Sequence, residues 1–199
     1  MDSDKSKRKF RLKINYNSPV ILTYTFICLA VVIIGYITHG VSTEYAFMVY
    51  RTSLLDPMFY FRLFSHVLGH ADITHFANNF MLILLTGPML EEKYGSKPLL
   101  LMILFTALVT GILNVLLFPK IALCGASGIA FMFILLSSFA NVKNGSGIPV
   151  TVVLVAIFYL GSEIVNGIIS KDNISQFAHI LGGICGGIFG YLITKSKRD

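Results

Sequence analysis

The sequence predicts an all-α polytopic membrane protein, a bundle of six transmembrane helices with a long interfacial loop between the first and second. Three observations predict it. Of the 199 residues, 55% are hydrophobic and only 13% are charged, about half the ~25% usual in soluble domains, and the mean hydropathy is +0.74. A soluble fold of this size has no interior large enough for so much apolar surface. The apolar residues gather into six segments, at about 19–38, 76–90, 98–118, 126–140, 148–168 and 177–194. Lys and Arg lie at the chain ends and in alternate short connections. That pattern accounts for the net charge of +6 without nucleic acid as a partner.

Taken in order, residues 1–16 form a basic tail, 17–195 a single membrane domain, and 196–199 a short polar end. The first apolar segment is too long for a cleaved signal sequence and no small-residue cleavage site follows it, so it reads as a retained membrane helix. A helix needs ~20 apolar residues to cross ~30 Å of hydrocarbon. The first, third and fifth segments have that length, whereas the second, fourth and sixth are marginal or short. With the N-terminus inside, the tail, the 91–97 and 141–147 turns and the C-terminal end hold twelve Lys and Arg, against Arg51, Arg62, Lys120 and Lys171 outside. Both termini are therefore expected to face the cytoplasm. The 39–75 loop carries Pro57, the aromatics Phe59, Tyr60, Phe61 and Phe64, and His66, His70 and His75. A loop so long and so aromatic fits a segment lying at the membrane interface. Cys28, Cys124 and Cys185 form no disulfide framework and no CxxC pair.

The chemistry-bearing residues fall at one depth. Gly125-Ala126-Ser127-Gly128 opens the fourth segment, where small neighbours leave a serine hydroxyl accessible; alone, it fits a helix cap or a tight helix contact equally well. Ser127 lies 14 residues above Asn141, or ~21 Å at 1.5 Å per residue. His179 lies 16 above Lys195 (~24 Å), and Asn79 and His75 lie 12 and 16 above Glu91 (~18 and ~24 Å). Polar groups at such depth are costly and functional by default. Each alone is also explained by an interhelical hydrogen bond, but a shared layer holding a nucleophile and a base is not explained so simply. The backbone before Ser127 must dip into the membrane, which requires burial in protein or a water-filled cavity. After His179, Gly183, Gly186 and Gly190 recur on one helical face, so the histidine's face is expected to press on a neighbour, with Ser127 and Gly128 as its natural partner.

Together these residues resemble the rhomboid family of intramembrane serine proteases, in its compact bacterial six-helix form. The likeness runs from Arg62 through His66-x3-His70-x4-His75-x3-Asn79, Gly87-x3-Glu91-x3-Gly95 and Gly125-Ala126-Ser127-Gly128 to His179-x2-Gly182-x3-Gly186. The resemblance implies a serine endopeptidase with Ser127 as nucleophile, His179 as base, and His75, Asn79 and the Ser127 N–H as oxyanion donors. Gly125, Gly128, Gly182, Gly183 and Gly186 would pack near the site. No metal and no cofactor is implied. Its substrates would be transmembrane proteins cut near the outer face, and its place a bacterial cytoplasmic membrane. The resemblance also implies that the long loop is a partly embedded lateral loop, with Arg62, His66 and His70 structural or water-retaining. Two positions depart from the family pattern: Phe61 stands where tryptophan is frequent, and Phe131 where a tyrosine often packs beneath the histidine.

Rival readings remain distinct. His66, His70 and His75 suggest a metal cluster, but position 67 is Val rather than the Glu of a zinc-protease HExxH. A non-catalytic relative that binds transmembrane helices would be expected to lack the serine or the histidine. A small transporter rests only on Glu163. Oligomeric state is not readable.

Overall fold

A computed structural model of the chain describes residues 15–140, 148–161, 165 and 173–196. Most of the basic tail, the 141–147 turn, Glu163 and the last three residues lie outside it.

Among the described residues, four helices are long and apolar enough to cross a membrane. They are α1 (Pro19–Ile37), α4 (Ile73–Tyr94), α5 (Ser96–Leu117) and most of α8 (Asn173–Ser196). The chain is therefore a multi-pass membrane protein. The second and sixth segments are longer than their apolar cores suggested. Asp72 caps α4, its side chain accepting from the His75 N–H at 2.8 Å, so α4 begins before the apolar run. It also continues through Glu91, Glu92 and Lys93 before Gly95 ends it with φ +88°.

The fourth segment stays short. Helix α6 (Ser127–Ser138) has 12 residues, or ~18 Å, and every residue from Gly128 to Leu136 is buried. It is the central helix, apolar all round because protein surrounds it, packed chiefly on α8 and then α4. The described part of the fifth segment is α7 (Val150–Val155), which runs into one π-helical turn, Ala156–Leu160.

The α6/α8 contact depends on missing side chains. A Cβ on Gly182 would overlap the Gly128 carbonyl, one on Gly186 the Met132 carbonyl, and one on Gly190 the Phe139 ring. The stripe facing α6 thus runs Gly182, Gly186, Gly190, a spacing of four that keeps one face in register. The sequence reading began it at Gly183, which is buried beside it.

The long loop is built, not slack. It holds α2 (Val41–Ala46) and α3 (Pro57–Ser65). Asp56 caps α3 through the Met58 N–H at 2.9 Å, Pro57 sits at its first position, and the same carboxylate pairs with buried Arg62. Arg62 also donates to Tyr50 Oη and to the Met58 carbonyl. Ser65 Oγ donates to the Ala46 carbonyl, joining α3 to α2. Tyr60, Phe61 and Phe64 stay exposed on α3, as interfacial anchors do.

At the other end of the bundle, Glu91 is buried and accepts from the Val20 and Ile21 N–H groups at 2.9 and 3.0 Å and from Ser96 Oγ at 2.7 Å. One carboxylate thereby caps α1 and ties it to the start of α5.

Candidate active site

The segment entering α6 is held at four points. Leu123 and Val49 exchange two antiparallel backbone hydrogen bonds of 2.9 Å. Asn114 of α5, fully buried, donates to the Ile121 carbonyl at 3.0 Å and the Val49 carbonyl at 3.4 Å, pinning both sides of that bridge. The Gly125 N–H donates to the His66 carbonyl at 2.9 Å, and the Ala126 N–H to His70 Nε2 at 3.3 Å. Non-helical backbone inside a bundle needs such partners. The chain then turns into α6, with Ser127 as its first residue and half-buried. The opening N–H groups of a helix have no carbonyl four residues back, so α6 presents donors and the positive end of its dipole at Ser127.

Two histidines of the loop are fixed by these contacts. His66 Nδ1 bonds the Arg62 carbonyl at 3.1 Å and Nε2 bonds Thr110 Oγ1 at 3.3 Å. His70 sets Nδ1 against the Leu68 carbonyl at 3.3 Å, which leaves Nε2 to accept from Ala126. Burial holds both rings neutral, each lowered from the usual 6.5 to about 4, with the charge of His75 adding to the effect at His70. An imidazole that binds its proton less readily folded than unfolded makes stability pH-dependent. That stability is complete above about 6.5 and is lost as pH falls toward about 4. Thermal unfolding in detergent should therefore drop steeply across that interval, and the double variant His66→Gln, His70→Gln should flatten the drop. An equally steep drop in the double variant would contradict this assignment.

Around Ser127 three helices contribute. Phe131 lies one turn further along α6, so it shares the Ser127 face. Its ring stacks on His179 of α8 at 4.3 Å between centroids and 8° between planes. Beside it, a Cβ on Gly128 would stand 3.4 Å from the Ala178 carbonyl. The first turn of α6 and the His179 turn of α8 are thus apposed. From α4 come His75 and Asn79. Gly125 has φ +126°, and a Cβ there would lie 2.8 Å from the His75 ring and 3.8 Å from Asn79 Nδ2. Asn79 is buried, and its Nδ2 has no hydrogen-bond partner among the described residues. The rings of His70 and His75 meet edge to face at 5.1 Å, and His75 is within electrostatic range of His179.

The structure therefore gathers Ser127, His179, His75 and Asn79 around Gly125 and the start of α6, while His66 and His70 lie behind this segment and support it. Among the described residues no three His, Cys, Asp or Glu side chains converge as a metal site would require. A crevice of about 320 Å³ is bordered by Tyr36, His39, Thr43 and His70, the ring that receives the Ala126 N–H. Sequence reasoning missed Asn114. Its signal was a carboxamide near the end of a strongly apolar helix, a placement that asks for a partner.

Comparison with known proteins agrees with this architecture. The chain is 27% identical over 194 residues to Rhomboid protease GluP of Bacillus subtilis (strain 168), an alignment covering 92% of this chain and 36% of that protein. The chain thus spans about a third of the length of the curated relative it matches. The family model described as the Rhomboid domain matches residues 58–196, from α3 through the end of α8. That span includes Ser127, His179, His75 and Asn79, and on it the chain belongs to the rhomboid family.

Proposed function

We propose that this protein is an intramembrane serine endopeptidase that hydrolyses transmembrane segments of membrane proteins near the outer face. The observation that carries the reading is the apposition across α6 and α8. His179 lies flat on Phe131, one turn from Ser127, with Asn79 Nδ2, which has no partner among the described residues, across Gly125.

Each part has a chemical task. Serine is a weak nucleophile until a base is within reach. Ser127 Oγ attacks the scissile carbonyl as His179 takes its proton, and His179 then passes that proton to the leaving amine. Water repeats the sequence on the acyl-enzyme and regenerates Ser127. Phe131 holds the imidazole plane by stacking. The negative charge on the carbonyl oxygen meets His75, Asn79 Nδ2 and the N–H of Ser127 at the positive end of α6. Preorganised donors in a site shielded from bulk water stabilise such charge strongly. No cofactor or metal enters these steps. The same reading includes six membrane spans, both termini in the cytoplasm, a bacterial cell membrane as the location, and transmembrane proteins as substrates.

The test is cleavage of a single-span reporter protein in proteoliposomes. The wild-type chain should cut it within or beside its membrane segment, and Ser127→Ala should not. Equal cleavage by Ser127→Ala would refute the proposal. Reporter binding without cleavage by the wild-type chain would favour the rival reading, a helix-binding relative without catalysis.

A further inference from the structure

A groove of about 480 Å³ lies on the far side of the loop from the candidate active site, between α1, α3 and α5. Val20, Ile27, Phe61, Phe64, Leu100 and Leu104 line it. Four hydroxyls also reach its walls, and all are already bonded. Thr23 Oγ1 bonds Tyr16 Oη at 3.0 Å, Tyr24 Oη the Val67 carbonyl at 2.8 Å, Ser65 Oγ the Ala46 carbonyl, and Ser96 Oγ Glu91 at 2.7 Å. The interior therefore has only hydrocarbon to offer a ligand.

Its dimensions select the ligand further. The α1 wall runs from Pro19 to Ile27 and the α5 wall from Ser96 to Leu104, each a rise of ~12 Å. One leaflet's hydrocarbon is half of ~30 Å, or ~15 Å. The groove is thus one leaflet deep, and α3 with Val67 and Leu68 closes its top. Lys97 is exposed in the first turn of α5, next in sequence to Ser96 of the groove wall, where the helix dipole adds positive charge. Lys93 lies at the end of α4. Of the carboxylates on the described ends of α4 and α5, Glu91 is buried and committed to Val20, Ile21 and Ser96, and Glu92 is exposed.

We propose that this groove is a binding site for one acyl chain of an anionic phospholipid, drawn from the leaflet at the α1 N-terminal side, with the phosphate at Lys97. The seat has a structural consequence. Val67 and Leu68 are flanked by His66 and His70, the residues that hold Gly125 and Ala126. A chain in the groove supports the loop from below.

The absence of tryptophan makes the test clean. Phe61→Trp puts one indole at the groove, and Leu85→Trp puts one on the exposed face of α4 as a control. Each full-length variant is reconstituted in phosphatidylcholine vesicles containing a small fraction of phosphatidylglycerol brominated on its acyl chains, or the same fraction of brominated phosphatidylcholine. The Phe61→Trp chain should take up the anionic lipid with about fivefold preference, the equivalent of about 1 kcal/mol for one lysine near the headgroup. Adding Lys97→Glu should remove that preference, and Leu85→Trp should show none. Equal quenching by both lipids at Phe61→Trp would overturn the proposal. So would a preference undiminished by Lys97→Glu, or an equal preference at Leu85→Trp, which would mean a general attraction to the protein surface.

Discussion

Gly182→Val should prevent α8 from closing on α6, giving a chain that loses its folded form in mild detergent. At this point two backbones touch, and a Cβ on Gly182 has the Gly128 carbonyl, carbon and Cα as its nearest neighbours. Overpacking a core costs about 1–3 kcal/mol when side chains can yield. Here the obstacle is backbone in the first turn of a buried helix, so the helices themselves must separate, and we expect a loss at or above about 3 kcal/mol. Gly187 supplies the control. Among the described residues nothing stands within 4 Å of a Cβ there, and alanine in a helix is favoured over glycine by about 1 kcal/mol, so Gly187→Ala should be neutral or stabilising. Thermal unfolding followed by size-exclusion chromatography distinguishes the two. A Gly182→Val chain as stable as the parent would mean that the α6/α8 contact is not closed in the native protein.

The second large effect is catalytic. Asn79→Leu should lower kcat by ~10²–10³, the range for loss of one oxyanion donor, while leaving stability unchanged or raised. The sign follows from the unpartnered Nδ2. A buried donor without a partner carries a desolvation cost in the resting protein, and leucine keeps the branched shape without that cost. An Asn79 that merely held helices together would behave oppositely, with stability falling and kcat following only the folded fraction. Proteolysis of the single-span reporter, measured beside thermal unfolding of the same preparation, separates these outcomes. A kcat close to the parent value would remove Asn79 from the oxyanion site.

Much of this was legible because the membrane simplifies the chemistry. In lipid, a polar residue at depth needs a reason, so Ser127, His179, His75 and Asn79 stood out against apolar runs before any contact was known. Apolar length was a poorer guide to the helices themselves. Asp72 and Glu91 lie beyond the apolar core of α4, yet one caps that helix and the other caps α1. The second segment therefore reads as shorter than the helix it forms. The fourth segment was short for the opposite reason, since α6 is enclosed by protein and need not match the bilayer. The sequence reading named Gly182 and began the glycine stripe at Gly183, since positions three and four residues past His179 both lie near its face. Only the partner helix decides between them, and Gly182 is the one against Gly128. Asn114 and the supporting contacts of His66 and His70 depend on pairing between segments up to 65 residues apart, which no local pattern announces.

The central claim is that Ser127 is an activated nucleophile with His179 as its base. Labelling with a serine-directed fluorophosphonate probe in detergent tests this most directly, because it needs no knowledge of the substrate. The wild-type chain should be labelled at Ser127, and both Ser127→Ala and His179→Ala, shown to be folded, should remain unlabelled. Undiminished labelling of a folded His179→Ala chain, or label on a residue other than Ser127, would contradict the account.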